Sequence, residues 1–259
     1  MKTALLLAEK AGRIMRKNFG LAMKKEWKDH RSPVTETDLA INTMVLKAIK
    51  KKYPDHSILA EEGDDFSEAS EYVWICDPVD GTYNFAHGIP TATFALALTH
   101  NGEPILSVIL DPFLNRMFTA EKGKGAYCNE QKLSVSATPL LHAIIGWETK
   151  METPEDIMRH EGLRSRAIFF KTISAGWEFA MVAAGKLEGR ICFNPWGKDY
   201  DFAPGTLLVS EAGGMVANIG ATTYDYRNLN FIAANTAVYR ELTKGDGALF
   251  PAKTVDNAQ

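Results

Sequence analysis

Residues 72–82 have the sequence YVWICDPVDGT, in which an apolar run leads directly into two carboxylates. The aromatic and β-branched residues before the first carboxylate predict a buried strand. Pro78 and Gly81 are expected to turn the chain out of the sheet. Asp77 and Asp80 would then lie in a tight turn at the carboxyl end of the strand, where ligand sites commonly form in α/β sheets.

The close spacing of Asp77 and Asp80 favours a metal site. Carboxylate oxygens are the ligands that hard divalent cations prefer. Two acids held this close repel each other unless a proton or a cation lies between them. The pattern D-P-x-D-G also forms good turns without any ligand, so a purely structural turn remains an alternative at this point.

Three further acidic positions strengthen the metal interpretation. Glu61 follows residues 57–60, a predicted strand, and Asp201 precedes a predicted helix. Asp38 lies at the start of another predicted helix and has the spacing of a capping pair with Thr35. Asp38 and Asp201 can equally be plain helix caps, and Glu61 can be a solvated acid. Each alternative is reasonable alone, so the case for a metal site rests on the combination.

Helices and strands are mixed along the whole chain, which predicts layered α/β packing. Hydrophobic periodicity predicts helices at 3–19, 38–53, 174–187, 202–212 and 236–243. Apolar runs predict strands at 57–60, 72–76, 93–99, 105–110, 116–120, 126–135, 190–193, 215–218 and 230–234. Pro204 fits only in the first turn of its helix.

The weakly patterned residues 136–170 mark a junction between two parts of the chain. We therefore expect residues 1–140 to form an N-terminal α+β half that carries most of the metal ligands. Residues 141–259 would form a C-terminal α/β half that completes the site.

The composition excludes several classes of protein. The 259 residues carry a formal net charge of -3, unlike the basic surface of a nucleic-acid binder. Cys76, Cys128 and Cys192 are far apart, so neither a zinc ribbon nor a disulfide framework is indicated. No apolar run approaches the roughly 18 residues of a membrane span. We expect a cytoplasmic protein with no membrane or nucleic-acid partner.

Five elements along the chain together resemble one known family. DPVDGTYNF at 77–85, followed by HGIP at 87–90, is similar to the signature of the inositol monophosphatase family. That family belongs to a magnesium-dependent, lithium-sensitive phosphomonoesterase superfamily, which also includes fructose-1,6-bisphosphatases and phosphoadenosine phosphatases. The other elements are TETD at 35–38, AEE at 60–62, KGKGAYCN at 122–129, and DFAPG at 201–205 with EAGG at 211–214.

The resemblance implies a layered α-β-α-β-α sandwich of the sugar phosphatase type, with the site between the two halves. It also implies two or three Mg²⁺ per site. One cation would be held by Glu61, Asp77 and the backbone carbonyl of Val79, and a second by Asp77, Asp80 and Asp201. A third, weaker cation would face Glu61.

The same resemblance implies the roles of the remaining site residues. Asp38, Glu61 and Thr82 would be catalytic, with Asp38 and Thr82 orienting a water that the metal activates. The backbone N–H groups of Gly81 and Thr82 would hold the phosphate. The implied substrate contacts are Asp80, Gly81, Thr82, Asn194 and Asp201.

Two positions before Asp201 depart from the family pattern, namely Asn194 and Tyr200, which stands where relatives usually have Trp. Many relatives carry a Glu about seven residues before the last metal-binding Asp, and this chain has Asn194 there. These departures lie where the substrate is recognised. We therefore expect a substrate other than inositol phosphate to be possible, while the metal chemistry is little affected. Asp199 competes with Asp201 as a ligand, and the motif alignment favours Asp201.

These inferences predict a metal-dependent phosphatase that hydrolyses the phosphate monoester of a small polyol or sugar similar to inositol 1-phosphate. A fructose-1,6-bisphosphatase or a nucleotide 3′-phosphatase of the same superfamily is the alternative. A catalytically silent sugar-phosphate-binding protein is the alternative from another class. The resemblance also implies a homodimer and inhibition by lithium.

We expect Asp80→Asn to abolish activity with little loss of fold, because an unneutralised acidic cluster costs stability.

Overall fold

The computed structural model describes residues 1–20, 24–28, 33–63, 65–67 and 70–252. The helices in this part of the chain are α1 (Lys2–Asn18), α2 (Glu36–Lys52), α3 (Thr82–Ala86), α4 (Pro154–Arg164), α5 (Ala175–Ala183), α6 (Asp199–Glu211) and α7 (Thr236–Thr243). The strands are β1 (Glu26–Trp27), β2 (Pro33–Val34), β3 (Ser57–Ala60), β4 (Tyr72–Asp80), β5 (Thr93–His100), β6 (Glu103–Asp111), β7 (Arg116–Glu121), β8 (Gly125–Cys128), β9 (Gln131–Lys132), β10 (Ile144–Glu148), β11 (Ile168–Phe170), β12 (Gly189–Cys192), β13 (Met215–Asn218) and β14 (Phe231–Ala234). Among the helices of these described ranges, none has both the length and the apolar character needed to cross a bilayer.

Two large sheets organise the molecule. The seven-stranded sheet has the order β3-β4-β5-β6-β7-β8-β9, and the five-stranded sheet has the order β11-β10-β12-β14-β13. In the second sheet β10 runs parallel to both β11 and β12, so these three strands present their carboxyl ends to the same edge.

Helices cover both sheets and fill the space between them. Helices α1 and α2 pack on the outer face of the seven-stranded sheet, where Met15 and Ile41 share one core with Phe94. Helices α5 and α6 lie between the sheets, in a core that joins Phe179 to Phe231. Helices α4 and α7 cover the outer face of the second sheet. The predicted α-β-α-β-α sandwich is confirmed.

The alternation of side chains in β12 shows how one strand serves two layers. Cys192 packs into the core between the sheets, whereas Ile191 and Phe193 pack into the outer core with α4 and α7. Successive side chains of a strand point to opposite faces, so apolar residues at consecutive positions serve the two layers. This explains the apolar residues at 191–193 that helped to predict the strand.

Residues 136–170 contain regular structure that the sequence did not predict, namely β10, α4 and β11. The helix exposes Ile157 and Met158 and buries Leu163, so its apolar residues do not follow one face. Its start is nevertheless marked, because the Thr153 side chain accepts a hydrogen bond from the Asp156 backbone at 3.1 Å. The boundary at residue 140 stays a prediction.

Several predicted boundaries were wrong, among them the end of α5, which was predicted at residue 187 and lies at Ala183. Strand β4 was predicted to end at Cys76 but runs on to Asp80. Helix α6 begins three residues earlier than predicted, which places Pro204 inside the helix and beyond the first turn. The missing N–H of Pro204 leaves one helical hydrogen bond unmade, and the surrounding packing tolerates it. The single strand predicted at 126–135 is the hairpin of β8 and β9.

Helices α5 and α6 approach each other closely at Gly205. A Cβ atom at this position would lie 2.0 Å from the ring of Phe179. Since real Cβ atoms do not approach so closely, the two helices can pack at this distance only because residue 205 has no side chain.

We predict that Gly205→Ala destabilises the fold by about 2 kcal/mol, because overpacking outweighs the helix propensity that alanine gains. The free energy of unfolding in urea measures the effect. Gly20→Ala is the matched control, because a Cβ there meets nothing within 4 Å. Equal stability of the two variants would contradict the packing argument.

Candidate functional site

Three carboxylates converge between the two sheets. One oxygen each of Asp77, Asp80 and Asp201 lies within 4.8 Å of the others. Asp77 and Asp80 come from the end of β4, and Asp201 comes from the first turn of α6. The structure therefore brings together three of the four side chains that the resemblance implies as metal ligands.

A bulge in β4 places Asp77 and Asp80 on the same side of the sheet. Asp77 pairs with Ala95 and Asp80 pairs with Thr93, so three steps along β4 oppose two steps along β5. In a regular strand, residues three apart point to opposite faces. The extra residue of the bulge corrects this offset, and Pro78, which cannot donate to a ladder, lies within the irregular segment.

Asp80 is a helix cap supplied by a distant part of the chain. Its Oδ2 accepts hydrogen bonds from Thr93 Oγ1 at 2.8 Å, from Ser174 Oγ and from Gly176 N at 2.9 Å. Its Oδ1 accepts a bond from Ala175 N at 2.8 Å. The last three donors form the start of α5, so the carboxylate satisfies backbone groups that a helix otherwise leaves unpaired.

Asp201 is also held by the start of its own helix. Its Oδ2 accepts a hydrogen bond from the backbone N–H of Lys198. Asp199 instead accepts a bond from Tyr200 N at 3.1 Å and is not part of the carboxylate cluster. The helix-cap and metal-site interpretations of Asp201 are therefore compatible, since one oxygen can cap the helix while the other faces Asp77 and Asp80.

Thr82 and Asp38 form a buried pair beside the cluster. Thr82 Oγ1 lies 2.9 Å from Asp38 Oδ1 and 2.9 Å from the carbonyl oxygen of Val79, and its single proton can be donated to either. Asp38 Oδ2 accepts bonds from the backbone and the hydroxyl of Thr35. The predicted capping pair of α2 is thus confirmed, and it leaves the other oxygen of Asp38 to Thr82.

Gly81 turns the chain from β4 into α3. Its φ of 81° lies in the left-handed region, and a Cβ there would lie 3.0 Å from the side chain of Ser174. Only glycine meets both conditions without strain, so Gly81 brings Thr82 close to the segment that bonds Asp80.

Glu61 lines the same cleft but lies outside the cluster of three. Lys28 Nζ donates to Glu61 Oε1 and to Glu62 Oε1, each at 2.7 Å. Burial raises the pKa of Glu61 to about 7, although the nearby Lys28 opposes that shift. Glu61 therefore contacts a lysine ammonium at the place where the resemblance implies a metal ion.

The electrostatics of the cluster fit a bound cation. Burial raises the pKa of Asp77 well above its usual range, and the carboxylates of Glu61, Asp80 and Asp201 raise it further. Burial, followed by Glu61, raises the pKa of Asp201 in the same way. Buried acids that oppose each other's ionisation are stable as anions only beside a positive charge. Since all the donors are hard oxygens, the residues present fit Mg²⁺ or a similar divalent ion.

The carboxylates form the floor of a cleft of about 740 Å³. The cleft is also lined by residues of the C-terminal part of the chain, which include Trp147, Lys150, Lys171, Trp196 and Lys198. Trp147 lies near the end of β10, and the segments that carry the other four follow the carboxyl ends of β10 and β11 or precede α6. The site therefore lies where ligands commonly bind in α/β sheets.

Asn194, which the resemblance implies as a substrate contact, is not among the residues that line this cleft. Its amide nitrogen donates to Asp156 Oδ2 at 3.0 Å and to Glu152 Oε2 at 3.3 Å. The side chain is thereby directed to the start of α4. The residues that follow it, from Trp196 to Asp201, do reach the cleft, so only the position of Asn194 departs from what the resemblance implies.

Sequence reasoning missed a buried ionic network behind the cleft. Arg190 donates to Glu178 and to Glu148 and lies between the rings of Phe179 and Phe202, 5.5 Å from each. An arginine within an apolar strand was the available signal, because such a residue is almost never fully buried unless paired.

The network holds both segments that reach the carboxylate cluster. Glu148 Oε1 accepts bonds from the backbone of Trp196 at 3.0 Å and of Gly197 at 2.7 Å, just before Asp201. Glu178 Oε1 accepts bonds from Thr172 N at 2.8 Å and Oγ1 at 2.9 Å, just before Ser174. Arg190 is therefore a positioning residue for the site.

Comparisons with known proteins agree with this geometry. A family model described as the inositol monophosphatase family matches residues 1–249. The chain is 35% identical over 246 residues to a fructose-1,6-bisphosphatase/inositol-1-monophosphatase from Thermotoga maritima, with 93% of each chain covered. It is 33% identical over 251 residues to Nus factor SuhB from Haemophilus influenzae, with 93% of each covered. A solved IMPase structure from Thermotoga maritima matches with a TM-score of 0.82 at 30% identity, covering 93% of both chains.

We predict that Asp77→Asn raises the thermal stability of the metal-free protein and removes its response to Mg²⁺. The folded-state pKa values of the buried carboxyls lie above their unfolded values, so stability falls as the pH rises between the two. For Glu61 this window runs from 4.5 to about 7. Removing one acid relieves the others, and we expect Tm at pH 8 to rise by about 3 °C.

Thermal unfolding between pH 5 and pH 8, with and without Mg²⁺, measures this effect. Mg²⁺ should stabilise the unsubstituted protein more at pH 8 than at pH 5, because protons and cations compete for the same oxygens. A variant with lower stability than the parent, or with an unchanged Mg²⁺ response, would contradict the prediction.

Asp80→Asn makes the same charge change and should have the opposite effect on stability. Asparagine has one acceptor oxygen, so it cannot accept from all four donors that surround Asp80, and buried donors are left unpaired. We predict that this variant is less stable than Asp77→Asn by about 2 kcal/mol or more. This prediction replaces the expectation from the sequence that Asp80→Asn causes little loss of fold. The free energies of unfolding of the two variants in urea test it, and equal values would show that the cap of α5 is unimportant.

Proposed function

The chain belongs to the inositol monophosphatase family, and we propose that it is a magnesium-dependent phosphatase that hydrolyses the phosphate monoester of a small polyol or sugar. Homologues in this family are phosphatases. The observation that carries the proposal is the convergence of Asp77, Asp80 and Asp201 at the floor of a cleft. Burying several acids in one place costs free energy, and a reaction that depends on bound cations would explain why the chain collects them.

We propose that Mg²⁺ binds at two or three positions in this site. Glu61, Asp77, Asp80, Asp201 and the carbonyl oxygen of Val79 would hold the ions. Bound Mg²⁺ supplies the positive charge that attracts a phosphate and lowers the pKa of water. Glu61 can take part while Lys28 stays bound, because Lys28 bonds its Oε1 and the carboxylate has a second oxygen for a cation.

The role proposed for Thr82 and Asp38 is to orient the attacking water. The Thr82 hydroxyl donates its proton to Asp38 Oδ1, which leaves the lone pairs of Oγ1 to accept a hydrogen bond from water. Burial raises the pKa of Asp38, against the hydrogen bonds from Thr35 and Thr82 that oppose the shift. A carboxylate with a raised pKa is better suited to accept a proton during the reaction.

The substrate is proposed to be a molecule similar to inositol 1-phosphate. Fructose 1,6-bisphosphate and a nucleotide 3′-phosphate are the alternatives, and the first is favoured over the second by the name of the relative from Thermotoga maritima. One relative is named Nus factor SuhB, so a non-enzymatic role stays an alternative. The predicted cytoplasmic location, homodimer and lithium sensitivity stay predictions.

A phosphate-release screen with and without Mg²⁺ tests the proposal. The substrates are inositol 1-phosphate, fructose 1,6-bisphosphate, histidinol phosphate and phosphoadenosine phosphate. We expect Mg²⁺-dependent release from at least one of them. Absence of release from all of them, at any divalent metal concentration, would favour the catalytically silent binding protein.

Thr82→Val tests the proposed chemistry in the same assay. The change keeps the shape of the side chain and removes the hydroxyl, so we expect kcat to fall about 100-fold. Thr99→Val is the matched control, because Thr99 is also buried and its hydroxyl bonds only a strand carbonyl, that of Val73 at 3.3 Å. Equal kcat values for the two variants would remove Thr82 from the mechanism.

A further inference from the structure

Ile173 has a backbone conformation that isoleucine rarely adopts. Its φ is 60°, in the left-handed region where a β-branched side chain is strained and glycine is not. In the described part of the chain, six residues other than glycine have a positive φ, and Ile173 is accompanied there by four asparagines and Met151. Asparagine tolerates this conformation, so strain is expected at Ile173 and not at the asparagines.

The residues on either side of Ile173 fix this conformation. The backbone N–H and the hydroxyl of Thr172 donate to Glu178 Oε1 at 2.8 and 2.9 Å, and the Thr172 carbonyl accepts from Asn84 Nδ2. Ser174 Oγ donates to Asp80 Oδ2. A strained residue persists only where its surroundings over-determine it, and here both neighbours are bonded to buried side chains of other elements.

Ile173 lies beside the turn that is proposed to hold the phosphate. A Cβ atom at Gly81 would lie 3.1 Å from the carbonyl oxygen of Ile173, so the two backbone segments run close together. Ile173 also lines the cleft above the three carboxylates, and 53% of its surface is exposed. An aliphatic side chain is therefore held at the edge of a polar site, next to the position proposed for the phosphate.

Two other large apolar side chains are exposed in this cleft, and both have ring contacts. Tyr83 stacks on His87 with 4.4 Å between the ring centres. The Lys150 ammonium lies 5.3 Å from the centre of the Trp196 ring. The Ile173 side chain has neither a ring nor a polar atom, so it can contribute to binding only through its apolar surface. Exposed apolar surface inside a ligand cleft suits a ligand that has an apolar face.

Stability does not explain why residue 173 is an isoleucine. Glycine or asparagine would adopt the same backbone conformation without strain. Half of the isoleucine is exposed, so the side chain buries little apolar surface within the protein. Local rules of conformation are broken mainly at functional sites, and the cleft is the functional site that this side chain borders.

We propose that Ile173 is a specificity-determining residue whose side chain covers the C–H face of a ring in the substrate, while the phosphate lies at Gly81 and Thr82. A sugar or cyclitol ring carries hydroxyl groups around its edge and C–H groups on its faces, so a face can lose water without losing hydrogen bonds. An open-chain polyol has no such rigid face. This inference rests on the proposed phosphatase function, and it adds a preference for cyclic alcohols and the residue that produces it.

Two substrates with the same charge and the same kind of ester test this preference. Inositol 1-phosphate and glycerol 2-phosphate are both monoesters of secondary alcohols whose neighbouring carbons carry hydroxyl groups, and only the first is cyclic. The measured quantity is the ratio of kcat/KM for inositol 1-phosphate to kcat/KM for glycerol 2-phosphate, with Mg²⁺ present.

Ile173→Asn and Ile173→Gly both tolerate a φ of 60° and both remove the aliphatic side chain. Each should lower the ratio about tenfold, mainly through a higher KM for inositol 1-phosphate, because covering half of an isoleucine side chain contributes roughly that factor. Ile157→Asn is the matched control, since Ile157 lies on α4, is 49% exposed and is not among the residues that line the cleft. The control should leave the ratio within about twofold.

Thermal unfolding separates a role in binding from a role in packing. Because asparagine relieves the strained backbone, Ile173→Asn should raise Tm by about 2 °C. A fall in Tm for both Ile173 variants would show that the isoleucine stabilises the fold, and it would overturn the inference.

The remaining outcomes separate this inference from the proposed function. An unchanged ratio in either Ile173 variant, or an equal fall in the control, overturns the inference while phosphate release still supports the enzyme. An equal loss of kcat/KM for both substrates, with a changed molecular mass in sedimentation, would assign Ile173 to a contact between copies of the chain and would also overturn it. Release from glycerol 2-phosphate alone, or only from other substrates of the screen, has the same consequence. If no substrate releases phosphate, the proposed function fails and this inference fails with it.

Discussion

The burial of several carboxylates at one point is the constraint on which the rest of the structure depends. Water stabilises an isolated carboxylate far better than a protein interior does, and Asp77, Asp80 and Asp201 also repel one another. The chain offsets part of that cost with hydrogen bonds from helix starts and from hydroxyl groups, most completely at Asp80. The negative charge that remains needs a positive charge nearby, and a divalent cation supplies two charges in less space than any side chain. Lys28 compensates part of the negative charge at the edge of the cluster, beside Glu61.

The same constraint explains why the two sheets are joined so closely at the site. Asp80, which belongs to the first sheet, caps α5, which belongs to the layer between the sheets. Arg190 in the second sheet holds the two segments that lead to Ser174 and to Asp201 through Glu178 and Glu148. Removing one partner of a buried ion pair leaves an uncompensated charge. The packing of the fold and the geometry of the site are therefore stabilised by the same contacts.

Much of this could be predicted from the sequence, for identifiable reasons. Asp77, Asp80 and Asp201 lie in short motifs whose residue types suit a metal, and the buried strands and amphipathic helices have clear periodicity. The bulge in β4 could not be predicted, because one extra residue in a strand leaves no mark on an apolar pattern. Asn194 was implied as a substrate contact by the family resemblance, which says nothing about the direction of its side chain. The residues that line the cleft come from several distant segments, so only the folded chain brings them together.

Diffraction from crystals soaked in manganese tests the central claim most directly, because Mn²⁺ replaces Mg²⁺ at oxygen sites and scatters anomalously. The account predicts an anomalous peak in contact with side-chain oxygens of Asp77, Asp80 and Asp201. A cleft without such a peak at saturating Mn²⁺, or a peak bound only to other residues, would contradict it.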